Sequence, residues 1–349
     1  MQALATLIDT ALAAGVGSAA AVSVGDAGGE VFRLVRGHAW HGGPAIDAGA
    51  WFDVASLTKP MVTAAAAMVL AGEGRLDLDA PIRSYLPDAA STGSVAQLLG
   101  HAAGCAPHVE FWKRPGVLQR ASLVAQAARE PATAPGVTAV YSDLGYITAG
   151  AVIERAAGQP LEEAYGELVA GPLGLGARFV VGGAGEVPLA GAVATERDAR
   201  GLVCGRVHDE NAYYGGGVCG HAGLFATIGD VARFAAAITD AASGTPRGRL
   251  RPEIVLRFLT TACAPGASWR LGWDTPSRVP GVSHAGDRWP REHAVGHLGF
   301  TGTSLWLDLP HRRWVALLVN RVHPTREGTA EAIKALRRAV GDAVVAALG

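Results

Sequence analysis

Lysine is nearly absent from this chain. Only Lys59, Lys113 and Lys334 occur, and arginine carries the remaining positive charge. Arginine stays protonated at any working pH, so the sequence offers very few amines able to act as a base. Cysteine is scarce too. Cys105, Cys204, Cys219 and Cys263 are far apart and none shows C-x-x-C spacing. That excludes a zinc ribbon or a disulfide scaffold and leaves buried reduced thiols. The net charge is −1 and there is no basic run, which excludes nucleic acid as a partner. No run of about eighteen apolar residues is free of charge or glycine, so no membrane span is expected. Residues 1–15 lack a basic leader and carry Asp9 within the pattern Leu4, Leu7, Ile8, Leu12. This reads as an amphipathic helix, not a signal peptide. A cytoplasmic protein is expected, or a periplasmic one if a leader has been trimmed. His38, His41, His284, His293 and His311 show no ligand spacing and read as surface or loop residues. No metal and no cofactor are expected.

What is present fits one large or two intimate domains in 349 residues. After the first helix, apolar runs at 19–24 and 31–35 flank Gly25-Asp26-Ala27-Gly28-Gly29 and predict a β-hairpin. A helix should run from Ser56 to about Ala71, with Gly72 as its stop. From 80 to about 241 the pattern is mostly helical, most clearly at 122–129, 143–157, 161–169 and 230–241. The glycine-rich stretch 182–223 is irregular and too long for a casual loop. Strand character returns at 302–307 and 314–320. A closing helix over 329–348 has an apolar stripe at Ile333, Leu336, Val340 and Val344. The simplest architecture is α/β of the α+β kind: an antiparallel sheet assembled from both chain ends, flanked by the N- and C-terminal helices, with an all-helical domain inserted. The expected boundaries are 1–78 with 268–349 for the sheet domain and 79–267 for the mainly helical insertion, with a site in the cleft between them.

One of the three lysines stands in Ser56-Leu57-Thr58-Lys59. A spacing of i, i+3 on a helix puts both side chains on one face. A serine hydroxyl is a weak nucleophile until a base takes its proton. Pro60 belongs in the first turn of a helix, which places Ser56 near the positive end of the helix dipole. Chance can produce Ser-x-x-Lys, so its setting and partners must decide. Tyr141-Ser142-Asp143 precedes a helix, where Asp143 would serve as an N-cap and Tyr141 as a core aromatic. His297-Leu298-Gly299-Phe300-Thr301-Gly302-Thr303 leads into a strand, and a glycine here permits close approach to the backbone. By itself it is a glycine-rich turn.

Together the three elements resemble the serine β-lactamase and penicillin-binding-protein family, with the class C-like branch the nearest match. Gly74-Arg75-Leu76-Asp77-Leu78-Asp79-Ala80-Pro81-Ile82 is similar to the segment after that family's nucleophile helix. Leu98-Leu99-Gly100-His101-Ala102-Ala103-Gly104 is similar to its Leu-Leu-x-His-x-x-Gly. Gly220-His221-Ala222-Gly223-Leu224-Phe225 and Asn320-Arg321-Val322-His323-Pro324 resemble a less studied sub-branch that includes proteins described as D-alanine carboxypeptidases. The resemblance spans nearly the whole chain. It implies Ser56 as nucleophile, Lys59 and Tyr141 sharing the base role, and an oxyanion hole from the backbone N–H groups of Ser56 and Phe300.

Two positions depart from the family pattern. Its asparagine is Asp143 here, which when ionised only accepts hydrogen bonds. Asp143 should also favour charged Lys59 and shift base work towards Tyr141. Its lysine is His297, an imidazole mostly neutral near pH 7. The first removes a donor to a substrate amide, and the second weakens the expected grip on a substrate carboxylate. Gly299 and Thr301 belong to the same turn. Asn320 and Arg321, His208 and His221 are candidate substrate anchors, with strand-end or loop hydrogen bonding as the plain alternative. The resemblance implies a small-molecule ester, amide or muropeptide substrate, cleaved by an esterase or D-amino-acid carboxypeptidase. A β-lactamase is the next reading, and a catalytically inactive sensor on the same fold is the reading from another class.

Overall fold

The computed structural model describes residues 1–116, 118–182 and 189–349. Residues 183–188 of the long irregular stretch lie outside this set. Five antiparallel strands form the main sheet in the order Gly29–Gly37, Ala19–Asp26, Arg313–Val319, Ser304–Asp308, Ala294–Leu298. Strands from the two ends of the chain meet in its middle, with Ala20 opposite Val319 and Val22 opposite Leu317. Their alternation divides the core. Ala20, Val22, Val24, Val315, Leu317 and Val319 pack under the terminal helices Gln2–Ala13 and Ala330–Leu348. Ala19, Ala21, Ala316 and Leu318 face the helix Ile228–Ala242 on the other side. A strand with period two buried on both faces is apolar at every position. The small alanines on the inner face let that helix sit close.

The edge strand Ala294–Leu298 is not visible in the sequence pattern, because Gly296 interrupts it. A Cβ at Gly296 would lie 2.2 Å from the Trp306 ring, so the glycine makes room for the neighbouring tryptophan. His297 therefore lies on this strand itself, and the glycine-rich turn follows at 299–303.

Short strands also occur outside the main sheet. Phe52–Asp53, Leu224–Ala226 and Arg178–Phe179 form a small sheet beside the Ser56 turn, and Ala194–Asp198 pairs with Gly201–Cys204. The Ser56 segment runs as a 3₁₀ turn (Ala55–Leu57), a π-helical stretch (Lys59–Ala64) and an α-helix (Ala65–Gly72). It stops at Gly72, as the sequence signals, and left-handed Gly74 follows just beyond the end. Ala55–Gly72 is the one described segment with the length and mean hydropathy of a membrane span. Here 83% of it is buried within the protein, as expected of a core helix that is apolar all round.

Candidate active site

The strand Phe52–Asp53 delivers the chain to a tight corner. Ala55 takes φ +48°, a left-handed conformation that a residue with a Cβ rarely adopts. Such strain costs on the order of 1–3 kcal/mol and persists only where neighbours enforce it. They do so here. The Ala55 N–H donates to Asp53 Oδ1 (2.8 Å), and Thr58 Oγ1 donates to the Ala55 carbonyl (2.7 Å). The Leu224 N–H donates in turn to Thr58 Oγ1 (3.1 Å). The corner turns Ser56 into a cleft of about 740 Å³.

Two donors converge on Ser56 Oγ. Tyr141 Oη lies at 2.8 Å and Lys59 Nζ at 3.1 Å. Lys59 is completely buried. Its other two N–H bonds go to Asp143 Oδ1 (2.8 Å) and the His221 carbonyl (3.1 Å), so all three ammonium donors are matched. Burial pushes the Lys59 ammonium down, but Asp143, helped by Tyr141, holds it above the ordinary lysine value. Burial pushes the Tyr141 phenol up, with Lys59 opposing. Burial also opposes ionisation of Asp143, yet Lys59 and His108 hold its carboxyl well below the usual range. At rest, therefore, Lys59 is charged, Tyr141 is neutral, and Ser56 accepts from both.

Asp143 reaches this cluster because it is not the helix cap. Ser142 caps Asp143–Ala157 by accepting from the Gly145 N–H (2.9 Å), which leaves the Asp143 carboxylate free. His108 Nδ1 meets its other oxygen at 3.2 Å. The Ser142 N–H donates to His101 Nδ1 (3.1 Å), and the His101 ring packs against Tyr141 and Trp269. His101 thus holds the start of the helix in place. Gly220 is required by close approach, since a Cβ there would lie 2.2 Å from the Tyr146 carbonyl. This contact seats the following residue, His221, with its carbonyl on Lys59. The His221 ring pairs with Asp209 at 3.0 Å. Burial works against that imidazolium, but Asp209 keeps its pKa well above the ordinary value.

The opposite wall is the 299–303 turn. The Gly299 N–H donates to the Thr303 carbonyl (2.7 Å) and the Gly302 N–H to the Gly299 carbonyl (3.1 Å). A Cβ on Gly299 would lie 1.9 Å from Thr303 Oγ1 and 2.5 Å from the Val54 carbonyl. Only glycine brings this turn against the Ser56 corner. Thr301 faces away from the cleft and donates to the Asp53 carbonyl (2.8 Å), fastening the turn. Phe300 is 50% exposed at the cleft mouth, stacked on His208 and beneath the Arg321 guanidinium.

His297 lines the cleft but is itself buried. Its Nδ1 lies 2.8 Å from the Leu298 carbonyl, which can only accept, so Nδ1 carries the hydrogen and Nε2 is a bare acceptor. Burial first, and Lys59 second, push its pKa down to about 3. It is neutral and offers no donor to a substrate carboxylate.

The other residues singled out from sequence divide. Arg321 lines the cleft, although its Nε donates to the Phe300 carbonyl (2.9 Å). His208 lines it too, with Nε2 held by Glu196 at 2.9 Å. Asn320 is a correction to its reading as an anchor. Its Oδ1 accepts from the Ser18 and Ala19 N–H groups, and its Nδ2 donates to Ser18 Oγ and the Ala194 carbonyl. All four hydrogen-bonding positions of the amide are used, none on the cleft. The sequence reading missed His108, Trp269, His284, Arg326 and Arg337, which line the cleft as well. Each arrives from a loop or from the far helix, without local spacing to Ser56.

A family model described as Beta-lactamase matches residues 4–339. The chain belongs to the beta-lactamase family. An Escherichia coli (strain K12) relative named "Putative D-alanyl-D-alanine carboxypeptidase" is 28% identical over 305 residues, covering 79% of this chain and 70% of that protein. The fold is shared with a class C beta lactamase from Rhodobacter sphaeroides (TM-score 0.74, 17% identity, complete coverage of both chains). It is shared equally with EstCE1, a hydrolase with promiscuous acyltransferase activity (TM-score 0.74, 20% identity, 97% of this chain and 99% of that one). The same architecture thus accompanies proteins named as a carboxypeptidase, a class C beta lactamase and a hydrolase with promiscuous acyltransferase activity.

Proposed function

We propose that this beta-lactamase-family chain is a serine hydrolase that works through an acyl-enzyme on Ser56. The observation that carries the reading is the convergence of Tyr141 and Lys59 on Ser56 Oγ inside the cleft. Ser56 attacks an ester or amide carbonyl. Its proton passes into the Lys59–Tyr141 pair, which must first have lost one of its own, and from there to the leaving alkoxide or amine. The pair titrates as a unit. The oxyanion takes the N–H groups of Ser56 and Phe300, worth on the order of 3 kcal/mol each. Water then enters by the reverse proton path and releases the acid.

The substrate is a small ester or a D-amino-acid amide of the muropeptide kind. The name of the Escherichia coli relative supports the second. Neutral, acceptor-only His297 argues against strong dependence on a substrate carboxylate, and so against an efficient β-lactamase. The test is intact-mass spectrometry after exposure to a fluorophosphonate, a penicillin and a p-nitrophenyl ester. Wild-type protein gains one fluorophosphonate adduct and turns over the ester, while Ser56→Ala does neither and stays folded. Undiminished labelling of Ser56→Ala would overturn the assignment. A protein that binds penicillin without any covalent adduct would favour a binding domain.

A further inference from the structure

Arg337 lies on the buried stripe of the helix Ala330–Leu348, beside Ile333, Leu336 and Val340. Those neighbours pack well with apolar side chains, yet this position holds a cation. Burial first, and Arg321 second, push its guanidinium down to about 9, so it is still protonated at neutral pH. It has no carboxylate partner among the described residues, and its buried Nε has no hydrogen-bond partner. A buried charge without a counter-charge is costly, and an apolar replacement is often neutral or stabilising. What the charge does is donate twice from Nη2, to the Gly299 carbonyl at 2.8 Å and to the Thr303 carbonyl at 2.7 Å.

The Gly299 carbonyl and the Phe300 N–H belong to one planar peptide unit. A charged donor on the oxygen of an amide draws electron density from its nitrogen and strengthens its N–H as a donor, as in any hydrogen-bonded chain. The same bond fixes the plane and so the direction of the N–H. We infer that Arg337 is a positioning residue for the oxyanion hole, holding and polarising the Gly299–Phe300 peptide so that the Phe300 N–H binds an oxyanion more strongly. This rests on the proposed role of Phe300. The effect is confined to states in which negative charge has developed on the acyl oxygen. Ground-state substrate binding should hardly feel it.

The experiment compares wild type, Arg337→Met and Arg337→Lys, each checked for fold by thermal melting. Single-turnover acylation by a p-nitrophenyl ester is measured, with the affinity of an arylboronic acid, whose serine adduct is tetrahedral and anionic. The infrared carbonyl stretch of the trapped acyl-enzyme is recorded. Arg337→Met should acylate about tenfold more slowly, a fraction of the roughly 10²-fold cost of deleting a hole donor. Boronate affinity should fall in parallel, KM should change less than about threefold, and the carbonyl stretch should rise. Arg337→Lys should recover part of each. A folded Met variant with unchanged acylation and an unshifted carbonyl band overturns the inference. So does a defect confined to KM, or loss of fold in both variants, which would make the arginine structural. Absence of any Ser56 adduct in the wild type is a different failure, that of the underlying serine-hydrolase reading.

Discussion

Asp143 and His297 set the character of the cleft one residue at a time. Asp143 is the anion that keeps buried Lys59 charged, against a desolvation effect of opposite sign. Hydrolysis needs the Lys59–Tyr141 pair to give up a proton, so the rate should rise with pH through the pair's apparent pKa. Because both groups are shifted upward, that limb should lie on the alkaline side. In Asp143→Asn burial is left unopposed by the carboxylate, and the limb of kcat/KM should move to lower pH by about one unit or more. A limb that stays in place or moves alkaline would show that Asp143 does not control the base. His297→Lys adds a donor where the wild type has only an acceptor. A hydrogen bond to a charged group is worth about 1.5–3 kcal/mol, so turnover of a chromogenic cephalosporin should rise roughly 10-fold or more relative to a p-nitrophenyl ester. The logic fails if the lysine variant shifts preference towards the ester.

Elements were readable where one face has a period and unreadable where a neighbour supplied the reason. The stripe Ile333, Leu336, Val340, Val344 marks the last helix because those residues lie on one buried side. The hairpin and the strand Arg313–Val319 follow from β-rich runs between turn residues. The strand Ala294–Leu298 escapes notice because Gly296 answers to Trp306 on the adjoining strand, a contact no local pattern encodes. Asn320 shows the same limit. In sequence it stands next to Arg321 as a plausible anchor, while in the fold it bonds the first strand to the last. Asn320→Ala would leave the buried Ser18 and Ala19 N–H groups without their acceptor. An unsatisfied buried donor costs about 1–3 kcal/mol. The variant should therefore melt at clearly lower temperature, with kcat/KM of the folded fraction changed less than about threefold. A large loss of kcat/KM at unchanged stability would restore Asn320 to the substrate.

At the scale of the molecule, buried titratable groups make stability fall in acid. Burial pushes His297 down to about 3, and His284 and His323 down to about 4, each from 6.5. Below pH 6.5 the unfolded chain binds protons at these positions that the folded chain refuses, so stability declines as pH falls from 6.5 through the folded values. Burial opposes ionisation of Asp209 and Glu196 as well, but His221 beside the first, and His208 with Arg326 beside the second, hold them at about 2. Their contribution is present above the ordinary carboxylate range and is lost as pH drops towards 2. His221 runs the other way, held protonated by Asp209, and contributes below its unfolded pKa. The melting temperature should fall by about 5 °C or more between pH 7.5 and 4.5, measured by calorimetry. A melting temperature that is flat or rising across that range would show that these histidines are protonated in the folded protein.

The sequence alone determined the terminal helices, the hairpin and last strand from the two ends that build the sheet, and the three short motifs around Ser56, Tyr141 and His297. Those depend on periodicity, turn residues and spacing within one helix, which are local. Tertiary structure decided which groups touch. It made Ser142 the helix cap, so that Asp143 faces Lys59, and it set the tautomer of His297 through the Leu298 carbonyl. It also drew Arg337, 34 to 38 positions from the two turn carbonyls along the chain, onto the peptide of Phe300. Charge, desolvation and hydrogen-bond direction act across space, and only the packed chain fixes those distances.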